Sequence, residues 1–188
     1  MQAFHLPSLI SVTLTLIASV ALAASPAGAG QPEAPALACP AVLQQNALRL
    51  QDGCKVVVVV NTASFCGFTP QYKGLEALYN KYQGRGLVVL GFPSNDFSQE
   101  SGSNKDIAEF CESTFGVKFP MFTKTAVSGK DASPLFQQLT AASSTPVRWN
   151  FYKYIVSRDG LAVTAFNSMA DPGSPKFIAE IEKQLARP

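Results

Sequence analysis

Two continuous apolar runs, separated by a segment with helical periodicity, dominate the pattern of the chain. The first, Val56–Asn61, begins with five consecutive valines, and the second is Leu87–Phe92. Uninterrupted β-branched runs are typical of strands that are buried on both faces of a parallel sheet. Between them, Thr69 is predicted to cap a helix whose first residue is Pro70, and large apolar residues recur every three or four positions up to Tyr82. The pattern therefore predicts a right-handed strand–helix–strand unit.

The chain after this unit predicts further helices and short strands. A serine precedes each predicted helix, and an Asp-Gly pair at 159–160 is typical of a β-hairpin turn. The predicted helices are Asn104–Phe115, Pro134 to about Ala141 and a last helix from Pro175, and the predicted strands are Met121–Lys124, Lys153–Val156 and Leu161–Phe166. Together, the elements predict an α/β fold, a thioredoxin-like sandwich with a central mixed sheet and flanking helices.

The N-terminal region follows a different pattern. Leu9–Ala24 is apolar, but it is shorter than the roughly 20 residues that span a bilayer. Ala21–Ala23 has the small-x-small pattern of a signal-peptide cleavage site, although no Lys or Arg precedes the apolar run. Residues 1–24 are therefore predicted to be a signal peptide, with an uncleaved anchor or a buried helix as the alternatives. Residues 25–38, rich in Ala, Pro and Gly, are predicted to be a flexible leader.

A cleaved signal peptide would make this an exported protein, periplasmic in a Gram-negative host and otherwise secreted, with no stable membrane anchor. Cleavage would also remove His5, the single histidine of the chain. Histidine-based nucleophile pairs and histidine-ligated zinc are then excluded, and we expect no metal and no cofactor. The net charge of +2 leaves no basic footprint for nucleic acid, and a hydrophobic content of 47% excludes a disordered polymer.

Candidate chemistry therefore rests on four cysteines: Cys39, Cys54, Cys66 and Cys111. An even number in an exported protein suggests disulfides, and four cysteines allow three pairings. Cys66 follows the first predicted strand and precedes a helix, at the carboxyl edge of the sheet, where sites form in open α/β folds. Free amides at the helix start would stabilise a thiolate there, and the alternative is an inert buried thiol. Thr69 occupies the second position of a Cys-x-x-Cys spacing, so Cys66 lacks the neighbouring thiol of a dithiol oxidoreductase.

Three separated segments combine polar and aromatic residues around this position. They are NTASFCGFT at Asn61–Thr69, GFPSNDF at Gly91–Phe97 followed by Gln99-Glu100, and WNFYKY at Trp149–Tyr154. Their sequences, order and spacing resemble the active-site motifs of the glutathione peroxidase family. The resemblance extends from about Cys54 to the C-terminus. With a cysteine in the first segment, the chain is similar to the non-selenium, thioredoxin-dependent members.

This resemblance implies a thiol peroxidase with a catalytic tetrad. Cys66 would attack the peroxide and become a sulfenic acid, while Gln99, Trp149 and Asn150 would donate hydrogen bonds to the developing anion. The implied substrates are hydrogen peroxide and organic or lipid hydroperoxides. Residues 39–188 would then form a thioredoxin-fold peroxidase domain with an antioxidant role in the response to oxidative stress.

Cys111 matches the resolving cysteine of the thioredoxin-using members, which implies a disulfide between Cys111 and Cys66. The alternative is a packing cysteine, because Ile107 lies one turn before it on the same predicted helix face. The segment before Trp149 lacks the longer insertion of the tetrameric, glutathione-using members. The resemblance therefore implies a monomer that is reduced by a thioredoxin-like protein, with glutathione as the other candidate reductant.

The chain also departs from the family pattern. Ser94 stands where many members have another cysteine, so that position is not redox active here, and Asp96 and Ser101 replace the usual Gln and Pro. Cys39 and Cys54 lie where the resemblance is poorest, and our hypothesis is that they form a structural disulfide.

Two other functions fit a reactive Cys66 in a thioredoxin-like fold. One is a disulfide oxidoreductase, and the other is a redox sensor that is oxidised without turnover. Thr69 argues against the first, and both leave Gln99, Trp149 and Asn150 unexplained. The sequence therefore favours an exported thiol peroxidase.

Overall fold

The computed structural model describes residues 55–187. The predicted signal peptide at 1–24, the predicted leader at 25–38, and Cys39 and Cys54 lie outside these residues, so the statements about them stay predictions. Among residues 55–187, no helix combines the length and the apolar character that crossing a membrane requires.

In the described part of the chain, the centre is a four-stranded mixed sheet. Its strands are β1 (Val56–Thr62), β2 (Leu87–Pro93), β3 (Lys153–Val156) and β4 (Val163–Phe166), in the spatial order β2-β1-β3-β4. β1 and β2 are parallel, whereas β3 is antiparallel to both β1 and β4. This arrangement confirms the predicted strand–helix–strand unit and the terminal hairpin.

The helices of residues 55–187 flank this sheet. They are α1 (Gln71–Tyr82), α2 (Asn104–Phe115), α3 (Pro134–Ser143) and α4 (Pro175–Leu185). At the start of α2, the Asp106 N–H donates to Ser103 Oγ at 3.2 Å, and the Ser103 N–H donates to the Asp106 carboxylate at 2.9 Å. This reciprocal cap satisfies amides that have no partner within the helix, and Gly116, with φ +65°, ends the helix.

Alternate side chains of β1 supply the two layers of the core. Val56, Val58 and Val60 pack toward α1, α2 and α4, whereas Val57 and Val59 pack toward α3. Each buried valine contributes roughly 1.5 kcal/mol or more through removal of apolar surface from water. The two layers confirm the thioredoxin-like sandwich, and they explain why β1 carries an unbroken apolar run.

Two predicted strands are shorter than expected. Met121–Lys124 is reduced to a single parallel bridge between Met121 and Gly91, where a Cβ atom on the glycine would collide with the methionine side chain. The last strand begins at Val163 rather than Leu161, because the Leu161 N–H donates to a carboxylate of the preceding turn at 3.0 Å. Before Val163, a bond within the turn thus replaces a longer strand ladder.

Candidate active site

Cys66 lies in the loop that joins β1 to α1, and this loop turns a backbone N–H toward its sulfur. The Phe68 N–H donates to Cys66 Sγ at 3.4 Å, and the cysteine is partly exposed. An N–H that points at sulfur stabilises a thiolate more than a thiol, because hydrogen bonds to charged acceptors are stronger. The loop is therefore suited to a reactive thiolate.

The hydroxyl of Thr69 closes this loop. It accepts the Cys66 N–H at 3.0 Å and donates to Ala63 O at 2.9 Å. The prediction of Thr69 as helix cap, with Pro70 as the first helical residue, is wrong. α1 begins at Gln71, and the threonine hydroxyl bonds to the loop instead of to the helix amides. The residue at the second position of the Cys-x-x-Cys spacing thus holds Cys66 in place.

The side chains of Gln99 and Asn150 meet beside the Cys66 loop. Asn150 Nδ2 donates to Gln99 Oε1 at 2.8 Å, and the Phe65 N–H donates to Gln99 O at 3.1 Å. Asn150 is fully buried, whereas Gln99 is partly exposed. Gln99 Oε1 accepts a hydrogen bond from Asn150. The amide nitrogen of Gln99 therefore remains to donate a hydrogen bond to a bound anion.

Trp149 lies at the exposed side of the same site. Its side chain packs on Phe97, with ring centroids 5.3 Å apart, and 42% of the residue is exposed. Within the described residues, no hydrogen bond joins Trp149, Gln99 or Asn150 directly to Cys66 Sγ. The structure therefore brings the three predicted segments together, and the catalytic roles of their side chains stay predictions.

The turn that carries Asn150 has strained backbone. Phe151 is fully buried and has φ +62°, in the left-handed region that aromatic residues rarely adopt. Its N–H donates to Asn61 O at 2.7 Å, and its carbonyl accepts from Lys153 Nζ at 2.7 Å. The Asn150 carbonyl also accepts from Ser168 Oγ. A strained backbone conformation of this kind persists only where several surrounding interactions hold it in place. The three hydrogen bonds to Asn150 and Phe151 do so here.

Asn61 is a site residue to which the sequence analysis gave no role. Its buried side chain donates to Trp149 O at 3.1 Å and accepts the Tyr152 N–H at 2.9 Å. It therefore joins the end of β1, from which the Cys66 loop departs, to the turn that carries Trp149. One feature of the sequence could have indicated this role: Asn61 directly follows five valines. A polar side chain at the end of a buried strand needs hydrogen-bond partners nearby.

Cys111 is buried on α2, and both it and Cys66 are free thiols. Burial raises the pKa of Cys111, the nearby Tyr72 hydroxyl lowers it, and the charge of Glu100 raises it further. In the part of the chain that the structure describes, no group of three or more His, Cys, Asp or Glu side chains is placed to hold a metal ion. The structure therefore shows Cys111 as a buried thiol that is not bonded to Cys66.

α2 is held to the protein by few buried side chains. Ile107 and Cys111 are its buried residues, although the helix has twelve residues. Its contact with the Cys66 loop is an aromatic pair, Phe65 and Phe110, whose ring centroids are 6.5 Å apart. Elements with few buried contacts open at a lower free-energy cost than the core. α2 is therefore suited to local opening next to Cys66.

Lys153 carries an amine that is fully buried beneath the Phe151 turn. Burial lowers the pKa of Lys153 to about 7, and the charge of Asp171 opposes this shift. In the unfolded chain the side chain titrates near its ordinary value of 10.5. Between these two pH values the unfolded state binds more protons than the folded state, so stability rises with pH over that window.

We expect Lys153 to make the protein measurably more stable at pH 9.5 than at pH 7.5. Relative to Lys153→Met, the free energy of unfolding of the wild type should gain about 2 kcal/mol over this interval, since each pKa unit corresponds to about 1.4 kcal/mol. Urea denaturation in the presence of a reductant measures the difference. Lys73→Met, which removes an exposed lysine of α1, should show no such gain; equal pH slopes for wild type and Lys153→Met would contradict the prediction.

Comparison with known proteins agrees with this geometry. The sequence profile of the glutathione peroxidase family matches residues 42–140. The hydroperoxy fatty acid reductase gpx1 of Synechocystis is 49% identical over 150 residues, which cover 74% of this chain and 87% of the relative. A glutathione peroxidase of Lactococcus lactis is 50% identical over 136 residues, which cover 70% of this chain and 85% of the relative.

Solved structures agree as well. The crystal structure of Trgpx in its apo form has 35% sequence identity and a TM-score of 0.58, and the match covers 76% of this chain and 89% of that one. A thiol:disulfide interchange protein of Chlorobium tepidum has a TM-score of 0.56 at 12% identity, covering 85% of this chain and 100% of that one, so it shows the thioredoxin fold alone. The family profile, the relatives and the convergence of the three motifs lead to one conclusion: this chain belongs to the glutathione peroxidase family of peroxidases.

Proposed function

We propose that this chain reduces hydrogen peroxide and organic hydroperoxides, including lipid hydroperoxides, with Cys66 as the nucleophile. The observation that carries the proposal is a convergence of two features. The Cys66 loop donates an N–H to the sulfur, and beside it lies the hydrogen-bonded pair of Gln99 and Asn150. Trp149 adds a half-exposed indole at the same place.

The oxidation step needs a thiolate and donors for an anion. The Cys66 thiolate attacks one oxygen of the hydroperoxide, a sulfur–oxygen bond forms and the oxygen–oxygen bond breaks. The sulfur loses two electrons and becomes a sulfenic acid, while the alkoxide or hydroxide leaves and takes up a proton. Gln99, Trp149 and Asn150 supply neutral N–H donors for that anion, so the step requires no histidine.

Exposed apolar side chains around the site support organic hydroperoxides as substrates. Phe65, next to Cys66, is 67% exposed, and Met169 is 76% exposed. Met169 follows Ser168, whose hydroxyl bonds to the carbonyl of Asn150. Large apolar side chains around a reactive group are suited to the hydrocarbon part of a substrate. The name of the Synechocystis relative, a hydroperoxy fatty acid reductase, agrees with this assignment.

The sulfenic acid is then resolved by Cys111. Its thiolate attacks Cys66 Sγ, a disulfide forms, the sulfur–oxygen bond breaks and the oxygen leaves as water. Both thiols are free in the structure and Cys111 is buried on α2, and we infer that α2 opens locally to bring the two sulfur atoms together. The small number of buried side chains on α2 supports such opening.

The proposed reductant of this disulfide is a thioredoxin-like protein, with glutathione as the competing donor. The relative of Chlamydomonas reinhardtii, 50% identical over 136 residues, is named a glutathione peroxidase-like peroxiredoxin, which supports a thiol-based cycle. We also propose that the protein is exported after cleavage near residue 24, acts as an antioxidant monomer and contains a disulfide between Cys39 and Cys54. The apolar run and the small-x-small site support export.

The test is peroxide turnover by protein that begins at Ser25. Hydrogen peroxide and linoleic acid hydroperoxide are each assayed with thioredoxin and with glutathione as the electron donor. Both peroxides should be turned over with thioredoxin. In Cys111→Ser, thioredoxin-coupled turnover should fall about a hundredfold, because no disulfide forms for thioredoxin to attack, whereas the first oxidation of Cys66 stays within about twofold. Ser113→Ala, an exposed substitution on the same helix, is the matched control.

Several outcomes would contradict parts of the proposal. Full thioredoxin-coupled turnover in Cys111→Ser removes the resolving role, and insulin reduction without peroxide consumption favours a disulfide oxidoreductase. Stoichiometric oxidation of Cys66 without turnover favours a redox sensor. Non-reducing peptide mapping that finds Cys39 and Cys54 as free thiols removes the structural disulfide. Exported protein that still begins at Met1 removes the cleaved signal peptide.

A further inference from the structure

Asp96 lies in the loop after β2 that also carries Gln99, and the oxidation step does not use its carboxylate. It is one of the positions at which the chain departs from the family pattern. Its Oδ2 accepts the Val127 N–H at 2.8 Å, the Ser128 N–H at 2.8 Å and the Ser128 hydroxyl at 3.0 Å. These donors are 31 and 32 positions further along the chain. Because hydrogen bonds to an ionised acceptor are strong, the contact is a firm link between two distant segments.

The segment that donates these hydrogen bonds is itself held in place. Val127 is buried in the core layer that faces α3. The backbone around it forms a closed turn just before α3, in which the Ser133 N–H donates to Ala126 O at 2.8 Å. Asp96 therefore ties its loop to a part of the protein that is anchored both in the core and by backbone bonds.

Phe97, the residue after Asp96, joins this anchored loop to Trp149. The two rings have centroids 5.3 Å apart, with an angle of 43° between their planes. Among residues 55–187, no other aromatic ring packs on Trp149. Phe97 also packs against the core layer of Val127, whereas 42% of Trp149 is exposed. The orientation of the half-exposed indole therefore depends on where the loop places Phe97.

Gln99 lies beyond a strained residue of the same loop, and it has a bond of its own. Ser98, between Phe97 and Gln99, has φ +57°, a conformation that few residues with a Cβ atom adopt. Such strain persists only where bonds hold the chain on both sides. On the far side, Gln99 O accepts the Phe65 N–H at 3.1 Å, and on the near side the anchor is Asp96. Loss of Asp96 should therefore release Phe97, while Gln99 keeps its bond.

We propose that Asp96 is a positioning residue for the oxidation step: it holds Phe97 against Trp149 and so directs the indole N–H toward the leaving oxygen of the peroxide. The assignment rests on the proposed function, because it concerns the anion that forms when the oxygen–oxygen bond breaks. An N–H stabilises such an anion only at a hydrogen-bond distance of about 3 Å. An indole that turns away from this position therefore no longer contributes to the rate.

The test measures the second-order rate at which reduced protein consumes hydrogen peroxide in stopped flow. In Asp96→Ala, this rate should fall about tenfold, because the indole is displaced. Asp96→Asn keeps an oxygen that can accept the same N–H groups, so its rate should stay within about threefold of the wild type. Asp131→Ala is the matched control, because it removes an exposed carboxylate that pairs with the adjacent Lys130 at 3.2 Å. Its rate should stay within about twofold.

A double-mutant cycle distinguishes positioning of the indole from general support of the loop. Trp149→Phe keeps a ring but removes the N–H, and the rate should fall about a hundredfold. Adding Asp96→Ala to Trp149→Phe should change this lower rate less than about twofold, because the group that Asp96 positions is already gone. If Asp96 only supported the loop, the loss of about tenfold would recur in the double variant.

Fluorescence gives a second measurement that does not depend on activity. Trp149 is the single tryptophan of the chain, so the emission reports on its surroundings alone. The emission should shift to longer wavelength in Asp96→Ala, because the indole becomes more exposed, and it should return to the wild-type position in Asp96→Asn. Circular dichroism sets the assay temperature below the onset of unfolding of every variant.

Three results would overturn the assignment while the proposed function stands. They are a wild-type rate in Asp96→Ala, an unchanged emission spectrum in Asp96→Ala, and losses that multiply in the double variant. A different result concerns the proposed function: if wild-type Cys66 reacts with peroxide no faster than free cysteine, the oxidation step fails, and the role of Asp96 fails with it. The rate of the wild type thus separates the two kinds of failure.

Discussion

Replacement of Cys66 by serine is expected to lower peroxide turnover at least about a thousandfold. The serine hydroxyl remains protonated at neutral pH, and its oxygen cannot take the two-electron oxidation that sulfur undergoes. The N–H of Phe68 and the Gln99–Asn150 pair remain in place, so the loss isolates the contribution of the sulfur. Stopped-flow consumption of hydrogen peroxide by the reduced variant measures it.

The loss should not result from unfolding. Cys66 is partly exposed, and Thr69 holds its loop through backbone groups that the substitution leaves intact. Circular dichroism and urea denaturation of Cys66→Ser should match the wild type within about 0.5 kcal/mol. Turnover above one per cent of the wild-type rate, with the fold intact, would mean that another group carries the chemistry.

Replacement of Asn61 by alanine is expected to affect both stability and reactivity. The substitution leaves Trp149 O and the Tyr152 N–H without their partner, at a cost of about 2–4 kcal/mol in the free energy of unfolding. It also releases the turn that carries Asn150, and small displacements of catalytic groups can cost about a hundredfold in rate. We therefore expect the second-order rate of Cys66 oxidation to fall roughly tenfold to a hundredfold.

Ser94→Ala is the control for this substitution. Ser94 is also fully buried and directly follows β2, but its hydroxyl accepts a single long bond, 3.3 Å, from the Asp96 N–H. Its loss should cost less than about 1 kcal/mol and leave the peroxide rate within about twofold. The fluorescence emission spectrum of Trp149 reports changes in the surroundings of its side chain. It should shift in Asn61→Ala and stay unchanged in Ser94→Ala. An oxidation rate within twofold of the wild type in Asn61→Ala would remove its positioning role.

The elements of this fold could be predicted where their signals are local. The valine run of β1, the serine and glycine that bound α2 and the Ser-Pro starts of α3 and α4 each act over a few residues, so their bounds agree closely with the sequence. Thr69 was predicted wrongly because its hydroxyl had two sets of partners within reach. Loop bonds to Ala63 and Cys66 outcompeted the helix amides, and that choice depends on how the chain turns after β1.

By itself, the sequence determined the α/β class, the family and the residues that match its motifs, because apolar periodicity and motif spacing are properties of a linear chain. Only the tertiary structure decided which buried groups meet. The Asn61–Trp149 bond joins residues 88 positions apart, and it exists because β1 and β3 pair in one register. The contact between Glu100 and Ser64 likewise depends on parallel pairing of β1 and β2, which brings two loops to the same edge of the sheet. Hydrogen bonds act only over about 3 Å. No pattern along the chain sets such distances until the strands have paired and the core has closed around them.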